Sequence, residues 1–413
     1  MDTTMSSVRP SRRGLLRGTG ALTAAGWIGG LAGGWLLRPS WGHAADPIKI
    51  GIATDITGPI APSGNADWQV AQFTVEEINK SGGILGQPIE LYLEDTASDP
   101  KIAVGNVRRL IQERKVNVVL GGITSAMRQA IKDPIVNRGR TLYIYPQLYE
   151  GQECTKNLFC TGPTPAQQCD KLIPYLIKTV GKKRFAMPAA NYVWPQLLNK
   201  YARKAIEANG GEVMFEEYYP LDQPEYSATI SKIRNGKVDC VFCTVIPPGL
   251  QSFVKQLYEF GFQKNGGVLV QVAFDENAFN FVPVHEIEGA YSCLDYYQTV
   301  NDPFSQKLTE AYAKRFPDTK YLFTAGSAAT GMYRGIKFYE GAVKEIKGDL
   351  HRDAVAAAMD HGVLTEGPGG GAEMVPGHWH CKMNMYTAVC RVTGDRPSFE
   401  IVDKAAMVDP REC

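Results

Sequence analysis

The sequence predicts an α/β protein: two Rossmann-like lobes with parallel sheets, joined by a hinge. Three observations predict it. Short β-branched runs alternate with segments whose apolar residues recur at helical spacing. The alternation restarts in the middle of the chain, near residue 184. And 413 residues exceed what one ordinary core organises, so two domains are expected. Hydrophobic residues at 44% and charged residues at 21% place the chain in the globular class. Its 44 Lys and Arg nearly cancel 43 Asp and Glu, so net charge gives no reason to expect nucleic acid or an anionic membrane as partner.

Residues 1–45 differ in kind. Ser11-Arg12-Arg13-Gly14-Leu15-Leu16-Arg17 puts a twin arginine before a glycine-interrupted apolar run at residues 21–37, and small residues follow at Gly42-His43-Ala44-Ala45. This is the layout of a cleaved twin-arginine export signal, and the run is short for a permanent span of about 20 residues. The expected address is therefore outside the cytoplasm, where nine Cys are acceptable. Cys154 with Cys160 and Cys381 with Cys390 are geometrically plausible pairs, whereas Cys240 and Cys243 point to opposite faces of one strand. An odd total leaves at least one thiol without an internal partner.

The first α/β run opens with a strand at residues 48–53, closed by Thr57-Gly58-Pro59. A helix at 67–79 follows, carrying Trp68, Ala71, Val75 and Ile78 on one face and stopped by Ser81-Gly82-Gly83. Then come a strand at 89–94, a helix at 101–114, a strand at 116–120, a helix at 127–137 and a strand at 142–145. The second run has strands at 184–188, 213–219, 239–244 and 267–272, with helices at 196–209, 227–234 and 250–260 between them. Strands linked by crossover helices imply parallel sheets covered on both faces. A long helix is expected at 325–347, with Ala328, Met332, Ile336 and Tyr339 as its buried stripe; a glycine-rich loop follows at 365–371, then a two-stranded tail around Met385 and Phe399. The domain reading is residues 46–165 for the first part of lobe 1, 166–292 for the first part of lobe 2, and 293–413 returning to both, with crossings near 160–170 and beyond 290.

Together these segments resemble the type I periplasmic solute-binding proteins of ABC importers, over residues 47 to about 395. The resemblance is carried by the opening strand with Thr57-Gly58-Pro59 and by Val75-Glu76-Glu77-Ile78-Asn79-Lys80-Ser81-Gly82-Gly83-Ile84-Leu85-Gly86. Tyr145-Pro146-Gln147-Leu148-Tyr149-Glu150-Gly151 and Asn191-Tyr192-Val193-Trp194-Pro195 make the chain most similar to the branch that binds urea and short-chain amides; it is also similar to branched-chain amino acid-binding proteins. The resemblance implies a non-catalytic receptor, without cofactor or metal, that closes over a small-molecule ligand in the periplasm. It also implies an inner-membrane ABC permease as partner; a periplasmic sensor partner is the alternative.

In that architecture the ligand lies where strand C-termini face each other. Ser125, after Gly121-Gly122, is a candidate for a carbonyl or carboxylate at a helix N-terminus, the alternative being a plain cap. Tyr145, Gln147 and Tyr149 end the next strand as flat or amide-matching groups, or pack the lobe. Tyr192 and Trp194 offer aromatic faces. Thr244 ends the strand that precedes Pro247-Pro248, a departure from the family's usual loop. Asp275, preferred over Glu276, suits an ammonium or amide N–H. His378-Trp379-His380-Cys381 lacks the second cluster a metal site needs, and no Gly-x-Ser-x-Gly elbow or Lys-bearing phosphate loop occurs.

Overall fold

A computed structural model describes residues 46–324, 329–393 and 396–413. The expected export signal, and Ala328 of the expected helical stripe, lie outside the described residues.

The first α/β run forms β1 (Ile48–Thr54), α1 (Ala61–Lys80), β2 (Ile89–Asp95), α2 (Pro100–Gln112), β3 (Val118–Gly121), α3 (Ser125–Lys132), β4 (Leu142–Tyr145) and β5 (Leu158–Cys160). A π-helical turn, Asp133–Arg138, extends α3. These strands pair in parallel in the order β2-β1-β3-β4-β5. Ile48, Ile50 and Ile52 of β1 are fully buried, as are all four residues of β3 and of β4, because helices cover both faces.

The second run contributes α4 (Pro165–Lys178), β6 (Arg184–Ala190), α5 (Val193–Ala208), β7 (Glu212–Tyr219), α6 (Ser227–Asn235), β8 (Cys240–Phe242), α7 (Gly249–Glu259), β9 (Val268–Val270), α8 (Val284–Ile287) and β10 (Tyr291–Leu294). Here the parallel order is β10-β9-β8-β6-β7. The chain then runs through α9 (Pro303–Arg315), α10 (Ala329–Glu345), α11 (Arg352–Met359), β11 (Val363–Leu364), β12 (Ala372–Val375), β13 (His380–Thr393) and β14 (Arg396–Val408). β13 joins the two parallel blocks: it meets β5 through His380 opposite Cys160 and runs antiparallel to β10 from Tyr291↔Val389 to Leu294↔Tyr386. β14 folds back along it.

α10 returns to the first block and packs on α1, β3 and β4. It approaches so closely that a Cβ at Gly331 would sit 1.8 Å from the carbonyl oxygen of Pro146, so only glycine fits there. Arg334, on the same helix, is buried and bonds Asp295 just beyond β10 at 2.6 Å, tying the blocks together beside β13.

Several expectations change. The first helix begins at Ala61, not near 67, because Pro62 suits a first helical turn. The stretch expected as a crossing near 160–170 already contains the start of α4, whose N-terminus is fixed by the N–H of Thr164 donating to Gln167 at 3.0 Å. The anticipated pairs Cys154–Cys160 and Cys381–Cys390 do not form. Cys154 is instead bonded to Cys413, 259 residues away, while Cys160, Cys381, Cys390, Cys240 and Cys243 are buried thiols. Cys160 lies inside β5 and Cys381 and Cys390 inside β13, so their side chains are committed to core packing rather than to the loop where Cys154 sits.

Candidate functional site

β3 ends at a pair of glycines that turn the chain sharply. Gly121 has φ 126° and its Cβ position lies 2.0 Å from the carbonyl oxygen of Ala53, so a side chain would collide with β1. Thr124 then caps α3, its Oγ1 accepting from the N–H of Met127 at 3.2 Å. Ser125 opens the helix and donates from Oγ to Glu150 Oε2 at 2.6 Å. Glu150 is held on its other oxygen by Arg128 Nη2 at 2.6 Å, and Arg128 Nε reaches Glu153 at 3.2 Å. The guanidinium lies over the rings of Tyr145 and Tyr149, 4.8 and 4.7 Å from their centroids. Tyr145 itself donates to the carbonyl of Ile123 at 2.8 Å, which braces the turn that presents Ser125.

Across from this corner, Tyr192 stands at the N-terminus of α5 with its ring centroid 6.2 Å from that of Trp194. Trp194 is 5% exposed, and its Nε1–H has no partner among the described residues. Asp275 caps a 3-10 turn, Glu276–Asn280, its Oδ1 accepting from the N–H of Asn277 at 2.9 Å. Burial, and then the adjacent Glu276, push its carboxyl well above the usual range. Glu276 turns inward, accepting from the N–H of Gln298 at 2.8 Å and from the Thr324 hydroxyl at 2.6 Å. One of the two neighbouring carboxylates therefore serves packing, and the other faces open space.

Both corners border one cavity of about 460 Å³ between the two blocks. Five of the expected residues meet there: Ser125 and Tyr145 from the first block, Tyr192, Trp194 and Asp275 from the second. Their neighbours are mainly apolar, among them Ile60 and Leu148 on one side and Ile246, Leu250 and Phe274 on the other. Gln271 lies in the wall with its amide committed to the carbonyl of Val245 and to the N–H of Ala273.

Gln147, Tyr149 and Thr244 lie behind the wall rather than in it. Gln147 is fully buried and donates to Asp67 Oδ2 at 2.8 Å. Tyr149 hydrogen-bonds and stacks on His380. Thr244 donates to Asn199 at 3.1 Å and takes part in a parallel bridge with Ala189. Tyr149 and Thr244 have hydrogen-bond partners inside the protein, and the Gln147 amide donates inward although its Oε1 has no partner among the described residues; these contacts hold the three side chains out of the cavity wall. Sequence reasoning passed over Pro59, Ile60 and Ser63, although they follow the C-terminus of β1 and the same rule places them at the rim. It also passed over Asn277, Lys320 and Tyr321, whose segments carry no motif.

Among the described residues no helix is long and apolar enough to cross a membrane. Comparison with known proteins agrees with the architecture. The chain is 29% identical over 321 residues to the Leu/Ile/Val-binding protein BraC3 of Rhizobium johnstonii, covering 76% of this chain and 84% of that one. It is 24% identical to the leucine-, isoleucine-, valine-, threonine- and alanine-binding protein of Pseudomonas aeruginosa, with 72% and 80% covered. An ABC transporter substrate-binding protein from Sphaerobacter thermophilus superposes with a TM-score of 0.79 at 22% identity, over 88% of this chain and 99% of the other. A solute-binding protein from Rhodopseudomonas palustris BisB5, in complex with 3,4-dihydroxybenzoic acid, superposes with a TM-score of 0.78 at 23% identity, over 89% and 99%. The profile of the periplasmic binding protein family matches residues 47–395, so the chain belongs to that family.

Proposed function

We propose that this chain is the substrate-binding component of an ABC importer, taking up in the periplasm a small solute with an apolar body and a hydrogen-bonding, N–H-bearing head. The lobes are the two parallel blocks, residues 46–165 and 166–292, with residues 293–413 returning to both. Members of the family bind small molecules and work with ABC permeases. The observation that carries the proposal is the cavity between blocks, where the N-terminus of α3 and the Asp275 carboxyl face a largely apolar interior. Such a site orients a head group at few points and gains most of its affinity by covering the body.

The volume sets the scale of the solute. A water occupies about 30 Å³, so a cavity of 460 Å³ would surround urea with solvent on most sides. A carboxamide on a short or branched carbon chain fills it better. An apolar α-amino acid is the second reading, favoured by Asp275 as an ammonium partner and by relatives named for leucine, isoleucine and valine. Binding favours the closed arrangement of the lobes, and that closed form is what the permease would recognise. No bond in the solute is made or broken. Thermal unfolding of the purified protein with urea, short carboxamides and apolar amino acids tests this. A compound at about 100 times its Kd stabilises the native state by about 2.7 kcal/mol, so a Tm rise of a few degrees is expected for at least one carboxamide or amino acid. No rise across the panel would remove the proposed solutes.

A further inference from the structure

We infer that Glu150 fixes the Ser125 hydroxyl as a hydrogen-bond acceptor toward the cavity, so that the head group bound at α3 is a carboxamide rather than a carboxylate. This rests on the cavity being the solute site and names the chemistry of one of its corners. A serine hydroxyl has one proton. Here that proton is directed into the protein, to Glu150 Oε2 at 2.6 Å.

Glu150 has no freedom to release it. Its second oxygen is bonded by Arg128 Nη2 at 2.6 Å, Arg128 is bonded in turn by Glu153, and its guanidinium lies flat on Tyr145 and Tyr149. Ser125, Arg128, Glu150 and Glu153 are all buried, at 3%, 1%, 4% and 2% exposure, so water does not compete for these bonds. A carboxylate held by an arginine only accepts, which leaves the lone pairs of Ser125 Oγ as what the cavity meets.

The backbone beside it is the opposite. The N–H of Met127 is taken by Thr124 Oγ1, whereas those of Ser125 and Ala126, first and second in α3, have no intrahelical acceptor. The corner thus presents backbone donors next to one hydroxyl acceptor. A carboxamide satisfies both kinds at once, its carbonyl oxygen accepting from the backbone and its NH2 donating to Ser125. A carboxylate satisfies only the donors and sets its second oxygen against the serine lone pairs, with the Glu150 carboxylate directly behind. Glu150 acts through Ser125, as a positioning residue.

The experiment is calorimetric titration of the purified protein with matched pairs: isovaleramide and isovalerate, benzamide and benzoate, leucinamide and leucine. The expected result is that at least one amide binds and that each binding amide is tighter than its acid by about tenfold or more, the usual penalty for an unmatched buried polar contact. Ser125→Ala is expected to bring the amide-to-acid ratio of that pair toward one. Glu150→Gln, which frees the hydroxyl to turn, is expected to do the same. A purely structural role for Glu150 would weaken amide and acid alike and leave the ratio unchanged, which would overturn the inference. If Glu150→Gln does not fold, Ser125→Ala decides alone. Tighter binding of the acids also overturns it while leaving the solute-binding reading in place, and no binding by any of the six compounds counts against both.

Discussion

His380 shows how a single side chain in this protein couples burial to pH. Its Nδ1–H is directed at the carbonyl of His378 and its Nε2 at the hydroxyl of Tyr149, so the neutral ring uses both nitrogens. Burial lowers its pKa from 6.5 to about 4. Below pH 6.5 the unfolded chain takes up a proton that the native ring refuses. The stabilisation is therefore complete above 6.5 and is lost as pH falls toward 4, on the order of 3 kcal/mol over the window. His380→Gln is expected to flatten the decline of Tm between pH 6.5 and 4 relative to wild type; parallel declines would show that other groups set the acid limb. At this scale the sequence was a partial guide. Residue types suited to a cavity were visible at Ser125, Tyr145, Tyr192, Trp194 and Asp275, and the structure brings these five together. Gln147 and Tyr149 have equally suitable chemistry, but their partners Asp67 and His380 lie 80 and 231 residues away in the chain, and only folding reveals them.

Among the elements, the apolar strands were the most legible, since a buried parallel strand is a short β-branched run with turn residues at its end. β1, β3, β4 and β8 follow that rule. α4 was not, because Pro165 and Pro174 and the polar pair Gln167 and Gln168 hide its periodicity. The polar pair is buried: Gln167 donates to the carbonyls of Cys381 and Val408, and Gln168 to those of Val272 and Cys293. The C-terminal tail extends these contacts. Thr164 donates to the carbonyl of Pro410, Arg411 pairs with Asp170 of α4 at 2.7 Å, and Cys413 closes the disulfide onto the loop between β4 and β5. The tail therefore grips a second-block helix and a first-block loop at once. Closing so long a loop restricts the unfolded chain, and Cys413→Ser is expected to cost about 2–4 kcal/mol in chemical denaturation without reductant. Reduction of the wild type should give the same loss; equal stability of the two forms would mean the tail is held by its hydrogen bonds alone. Sequence suggested local pairs for Cys154 because proximity along the chain is the only distance it offers.

For the whole molecule, the alternation of strands and helices and its mid-chain restart were enough to give two parallel blocks, and the expected long helix and two-stranded tail are present as α10, β13 and β14, but pattern did not say which block each would join. β13 is long because it serves both blocks, and α10 leaves the second block to cover the first, a path that no local periodicity encodes. Together with the Arg334–Asp295 pair, these crossings place the cavity on the line between blocks. A molecule so arranged changes its cavity when the blocks rotate, and a solute touching both walls biases that rotation by its affinity for the closed form. The most direct measurement is a crystal structure with the tightest-binding compound of the carboxamide and amino acid panel. That compound should lie between the blocks, its head group within hydrogen-bond distance of Ser125 or Asp275 and its body against Tyr192 and Trp194. A compound seated elsewhere, with those four side chains untouched, would contradict the proposed function.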